Sequence, residues 1–234
     1  MKKYLVYFLC IALAGTIVSC KNEKETVKNE PAKEESVADS QTFTINKEQS
    51  NIDWKGYKIF KSESTSHFGT MDFLEGDINV KDGKLVSGKL VIDTKSITST
   101  DIEDKELAAK LDSHLKNSDF FDVEQFPTAT FEITNVTPSE QGDYNSVIEG
   151  NMTIKGITKA VSFNANIKVD TEQVSIYTEP TDIDRTEFGV KFQLPIKDGI
   201  IKNEFTLQVA IKPVYTLGRF LFCLKTKKIV LLST

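Results

Sequence analysis

Between Phe43 and Ile211 the chain alternates apolar and polar residues in one short run after another. In "NIDWKGY", Ile52, Trp54 and Gly56 stand against Asp53, Lys55 and Tyr57. "KLVSGKLVID" puts Val86, Gly88, Leu90 and Ile92 on one face, and "TATFEITNV" does the same with Ala129, Phe131 and Ile133. "AVSFNANIKVD" offers Val161, Phe163, Ala165 and Ile167, "FGVKFQLPI" offers Val190, Phe192 and Leu194, and "EFTLQVAI" offers Phe205, Leu207, Val209 and Ile211. A period of two is that of a strand with one face buried and the other in water. The Asp-Gly pairs of "KDGK" (Lys81 to Lys84) and "KDGI" (Lys197 to Ile200) suit tight hairpin turns, and Gly156 stands where two further strands must reverse. The pattern predicts an all-β antiparallel chain of about eight strands.

One stretch departs from it. "DIEDKELAAKLDSHLKNSDFF" spaces Leu107, Leu111 and Leu115 four apart, with Ala108 and His114 nearby. That spacing lines one stripe of a helix. Pro127 bars helical continuation into the strand that begins at Thr128. Four phenylalanines, Phe120, Phe121, Phe126 and Phe131, therefore fall at and after the helix end, where it meets the sheet. A single sheet hides an apolar face by packing on a second sheet or by closing into a barrel. A barrel of eight strands is either filled by side chains or holds one small ligand, and composition does not choose between them.

The ends of the chain carry a different message. Lys2 and Lys3 precede an apolar run from Tyr4 to Val18, the plan of a secretory signal peptide over residues 1–19. The run falls short of the roughly 20 residues a spanning helix needs. "IVSC", Ile17 to Cys20, resembles the bacterial lipobox, which implies a diacylated Cys20 as the first mature residue. Two or more acyl chains hold a protein stably to a membrane where one does not. Residues 20–40 follow as a tether: Lys21 to Ser40 holds four lysines against six acids and no aromatic, too little apolar surface to order itself. With Cys10 removed and Cys20 acylated, Cys223 has no disulfide partner, so stability rests on the core of residues 41–213. The net charge of −5 gives no footprint for nucleic acid. These features predict a lipid-anchored envelope protein, at the periplasmic face of a membrane or the outer-membrane surface.

Candidate chemistry is sparse. His67 and His114 are the only histidines, no Cys cluster accompanies them, and a metal site needs three or four ligands. No metal or cofactor is expected. "GKLVSGKL" fails as a phosphate loop because Leu90 stands where Ser or Thr is required. No Gly-x-Ser-x-Gly or Cys–His nucleophile pair is present, so the chain does not read as an enzyme.

Four blocks in order carry a family resemblance. "DWKGYKIFKSESTSHFGTMDFLEG" (Asp53 to Gly76), "LDSHLKNSDFFDVEQFPTATFEI" (Leu111 to Ile133), "GNMTIKGITKAVSF" (Gly150 to Phe163) and "DRTEFGV" (Asp184 to Val190) resemble the YceI-like family. The resemblance implies an extended eight-stranded antiparallel lipocalin-like barrel with a helical segment packed at its side. It also implies a long apolar tunnel for a polyisoprenoid or another long-chain amphiphile, and a homodimer by analogy. On that reading the tunnel candidates are Trp54, His67, Phe68, Phe73, Leu115, Phe120, Phe121, Phe126, Phe131, Phe163, Phe188 and Phe192. For each ring, plain core packing is the alternative. His67 matches the family's His-x-Gly position and is a candidate for the tunnel mouth, whereas His114 is expected to hydrogen-bond helix to barrel. Arg185 is either a headgroup contact for an anion or a structural ion pair with Asp182, Asp184 or Glu187. Residues 214–234 form an apolar, basic tail atypical of the family. Two other readings stand beside the lipid binder: a lipid-modifying enzyme in the same tunnel using His67 and a neighbouring acid, and a filled barrel with a structural or stress-related role.

Overall fold

The computed structural model describes residues 39–212 apart from 141 and 172. The signal segment, Cys20, nearly all of the tether and the tail at 214–234 lie outside the described residues. The described residues form ten strands: β1 (Gln41–Thr44), β2 (Asn51–Phe60), β3 (Glu63–Lys81), β4 (Lys84–Ser99), β5 (Thr128–Pro138), β6 (Ser146–Ile154), β7 (Ile157–Val169), β8 (Val174–Thr178), β9 (Thr181–Asp184) and β10 (Gly199–Ile211). One helix, α1 (Lys105–Lys116), lies between β4 and β5.

Eight of these strands close a ring in the order β3-β2-β10-β8-β7-β6-β5-β4, with β4 returning to β3. All their pairings are antiparallel. Closure removes the unpaired edges that an open sheet would expose. β1 and β9 sit off the ring, on β3 and β10. Two hairpins turn where the sequence signals them: Asp82 and Gly83, and Lys155 and Gly156, all have positive φ. That is the backbone of the two-residue turn matched to strand twist. The Asp-Gly pair of "KDGI" joins no two strands, because Gly199 opens β10 and the residues from Arg185 to Asp198 before it form none. The hairpin between β2 and β3 turns through Lys61 (φ 47°) and Ser62 (φ 73°), which carry no such signal.

Inside the ring lies the apolar face of each strand, with Phe43, Ile78, Ile97, Phe188 and Val174 the most fully buried large side chains. Two details of the periodic reading change. In β4 it is Leu85, 4% exposed, and not Val86 that points inward. Val80 pairs with Leu85 while Asn79 pairs with Ser87, so Val86 is the extra residue of a bulge and the alternation slips by one. "FGVKFQLPI" is not a strand. Its first residue, Phe188, ends a 3₁₀ turn over Arg185–Phe188, closed by Gly189 at φ 76°, and the rest joins no ladder.

α1 starts at Asp104, whose side chain accepts from the N–H groups of Glu106 and Leu107. It is tied to the barrel by Asp112, which accepts from the Ser99 N–H at 2.7 Å and from the hydroxyls of Ser99 and Thr98. The expected leucine stripe is buried only toward its end. Leu115 is buried and Leu111 half-buried, but Leu107 is 53% exposed, because the first turn projects past the wall. The helix stops at Asn117, ten residues before Pro127, and the chain returns to β5 through turns carrying Phe120, Phe121 and Val123.

Candidate functional site: an apolar barrel cavity

The barrel is not filled. A cavity of about 790 Å³, its mouth included, is lined by every ring strand from β2 through β8 and by β10. Its wall is built from the inward residues of successive strands: Ile52 on β2, Met71 and Phe73 on β3, Leu90 and Ile92 on β4, Phe131 and Ile133 on β5. Ile148 and Met152, Phe163, Ile176, and the row Phe205, Leu207, Val209 and Ile211 complete the circuit. The rings of Phe131 and Phe163 meet edge to face at 5.4 Å. Two of its three threonines are engaged: Thr94 donates to the Phe126 carbonyl, and the Thr178 hydroxyl accepts from the Val209 N–H. The lining thus presents hydrocarbon to whatever enters.

A second space of about 540 Å³ shares Met71, Phe121 and Phe205 with the first and extends toward the β2–β3 turn. Trp54, Leu115, Phe120 and Val190 line it together with Arg185. The indole N–H of Trp54 donates to the Thr98 carbonyl at 3.2 Å, which fixes the ring in the wall.

Arg185 is the one charged residue among the buried side chains described, at 6% exposure. Its Nε–H donates to the Lys202 carbonyl (2.9 Å), Nη1 to that of Val190 (2.6 Å) and Nη2 to that of Ile201 (3.2 Å). The Ile201 carbonyl also accepts from Gln193 Nε2 at 2.9 Å. Between Ile201 and Phe205 the β10 ladder slips against β2, and a buried carbonyl freed from a ladder must find another donor. The ion-pair alternative does not hold for the two aspartates: Asp184 accepts from Thr186 and Asp182 from Thr206. Burial pushes the guanidinium pKa down from its ordinary value, and the Asp184 charge partly offsets this. A guanidinium has five N–H donors, so two are left by these three bonds.

The structure therefore brings Phe73, Phe121, Phe131 and Phe163 to the first space and Trp54, Leu115, Phe120, Phe121 and Arg185 to the second. It leaves five tunnel candidates off both walls. Phe68 faces outward at 48% exposure, on the polar side of β3. Phe126 lies over the β6–β7 turn, within 3.4 Å of the position a Cβ on Gly156 would take. Phe188 is 1% exposed in solid core. Phe192 is outside the barrel, because its segment is a loop and not a strand, and stacks on His114 and Phe120. His67 lines neither space: it is part-exposed on the parity of Met71 and Phe73, paired with Gly56, and its Nδ1 lies 2.9 Å from Asp101 Oδ2. His114 hydrogen-bonds Asp119 just beyond its own helix, and reaches the rest of the fold through its ring contacts. Among the wall residues outside the candidate set, Ile52, Phe205 and Leu207 are marked only by the alternation that makes them inward, and Met71 and Ile148 fall outside the runs read from the sequence.

Comparison with known proteins places this geometry. Residues 43–212 match the YceI-like domain. The chain belongs to the YceI-like family. A YceI-like barrel fits the closed ring, the side helix and the apolar interior together. Among relatives, a UPF0312 protein of Staphylococcus aureus is 28% identical over 164 residues, covering 67% of this chain and 86% of the relative. A UPF0312 protein of Pseudomonas putida is 26% identical over 151 residues, covering 60% and 75%. Among solved structures, BcnA of Burkholderia cenocepacia shares the fold with a TM-score of 0.53 at 20% identity, over 74% of this chain and 99% of that one.

Proposed function

We propose that the barrel carries a long-chain amphiphile at the cell envelope, an isoprenoid of the quinone or polyprenyl phosphate type, for transport, buffering or sensing. The observation that carries this reading is the pair of adjoining apolar spaces inside a closed barrel, with a buried cation on one wall. A hydrocarbon tail gains about 0.8 kcal/mol per CH₂ removed from water, so such a wall selects for length without directed polar contacts. The two free donors of Arg185 suit an anionic or carbonyl-bearing head at the end of that tail. Cys20 is the acylated anchor in this picture, and the barrel works beside the membrane that holds it.

The enzyme alternative loses its support from geometry. The acid beside His67 is Asp101, but neither residue lines either space. The filled-barrel alternative is disfavoured by the cavity itself.

The test is mass spectrometry of organic extracts from chain purified without detergent, before and after incubation with membrane lipids. A stoichiometric long-chain species is expected, and Ala129→Phe, which projects a ring into the first space, should remove it. An empty parent protein after incubation would sink the reading.

A further inference from the structure

The end of the barrel at the β2–β3 turn breaks the rule that the outer surface is polar. Ile59 pairs with Ile200 and Phe60 with Gly199 across β2 and β10. Ile200 is 53% exposed, Ile196 51% and Phe60 38%. Ile196 lies over Gly199, where a Cβ would come within 2.6 Å of it, so the glycine makes room for that side chain. The two loops are tied together. The Lys61 N–H donates to the Asp198 carbonyl, and the Gln193 side chain clips onto both backbone groups of Ile201. Successive residues of a strand point to opposite faces, so apolar side chains cover both sides of this end. Such a surface suits insertion between other molecules better than packing against a flat one.

Its charge is as unusual as its polarity. Segments 55–63 and 191–204 hold six lysines against three acids, in a chain whose net charge is −5. Lys61 and Lys202 lie 5.2 and 5.3 Å over the rings of Phe60 and Tyr57, each an amine above an apolar stem. Exposed aliphatic and aromatic side chains ringed by lysines are the composition of a surface that sinks into the headgroup layer of an anionic bilayer. An acidic or neutral protein groove would not require apolar residues on both faces of the same projection.

We propose that this tip, built from Phe60, Ile196 and Ile200 with the surrounding lysines, docks on and partly inserts into an anionic lipid surface. The second cavity begins a few residues away, at Tyr57, Ile201 and Lys202, so docking brings that end of the barrel against the lipid phase. The proposal stands on exposure and charge, and does not depend on the barrel holding a lipid.

The test uses tryptophan depth quenching in the full chain, where any N-terminal anchor is the same in every variant. The chain has one tryptophan, Trp54, held at 7% exposure, whose signal is subtracted as the parent background. Phe60→Trp places a reporter at the tip, and Lys84→Trp places one at the far end of β3, where Lys84 pairs with Lys81. With vesicles of phosphatidylglycerol brominated on its acyl chains, Phe60→Trp should be strongly quenched and Lys84→Trp should not. The quenching should fall about tenfold in apparent affinity when Lys58→Glu and Lys197→Glu are added, with circular dichroism unchanged, and should weaken with salt. Equal quenching at both ends, equal quenching in neutral phosphatidylcholine, or none at Phe60→Trp would overturn the proposal. So would charge reversal that left quenching intact but shifted the chain from dimer to monomer, since the tip would then belong to a second copy.

Discussion

Asp112→Ala links the fold to the cavity in one measurement. The side chain accepts three hydrogen bonds: from the Ser99 N–H at 2.7 Å, the Ser99 hydroxyl at 2.8 Å and the Thr98 hydroxyl at 3.1 Å. Hydrogen bonds to a charged group contribute about 1.5–3 kcal/mol each, but three on one carboxylate are not additive. Both hydroxyls can turn to water at this half-buried site, whereas the Ser99 N–H is left without its acceptor. The expected loss is therefore about 2–4 kcal/mol, and Asp112→Asn, which keeps an oxygen for the Ser99 N–H, should lose about half of that. The assay is urea unfolding, with a lower midpoint at constant slope marking a true change in stability. The same bonds hold the helix whose end delivers Leu115, Phe120 and Phe121 to the second space. Uptake of a fluorescent long-chain probe by the folded Asp112→Ala protein should fall several-fold. A midpoint within the error of the parent, or an Asp112→Asn variant as unstable as Asp112→Ala, would refute the reasoning.

Two further perturbations test local physics. Ser62 sits at φ 73° in the β2–β3 turn, where a Cβ is strained and glycine is not, so Ser62→Gly should stabilise by about 0.5–1 kcal/mol despite glycine's entropy; a lower melting temperature for the variant would contradict this. Burial pushes the Asp101 carboxyl up, but hydrogen bonds from His67, from the Phe68 N–H and from its own backbone, with the His67 charge, outweigh it and hold the group below the usual carboxylate value of 3.8. A depressed acid contributes stability that is complete above that value and is lost as the pH falls through its folded-state pKa. Parent and Asp101→Asn stabilities should therefore converge as the pH drops below about 3.8, and a constant gap down to pH 2 would count against the contact.

The alternation in the chain was sufficient for most of the barrel because period two is a local property. A run such as "TATFEITNV" hides Phe131 and Ile133 wherever the strand finally lies. It failed where the fit to another segment intervened. Val86 yields its inward place to Leu85 because β3 and β4 slip past each other, and nothing local to "KLVSG" marks that bulge. Phe192 keeps its alternating look in a loop that never pairs, because Arg185 and Gly189 turn the chain away first.

The sequence by itself thus determined the all-β class, the tight turns at Asp82–Gly83 and Lys155–Gly156, the side helix and the apolar character of the interior. These follow from side-chain periodicity and from backbone preferences of single residues. Only the tertiary structure decided which aromatics face a cavity and which pack or protrude, since ring closure, bulges and helix placement are set by pairing with other segments, some as far apart as Asn51 and Ala210. It alone gave Arg185 its role. The residue reads as a headgroup contact or a structural ion pair beside three acids, yet its guanidinium is buried and donates to the carbonyls of Val190, Ile201 and Lys202, the last two at a slip in β10. It alone, too, gathered Phe60, Ile196 and Ile200, unremarkable in their own segments, onto one projecting end.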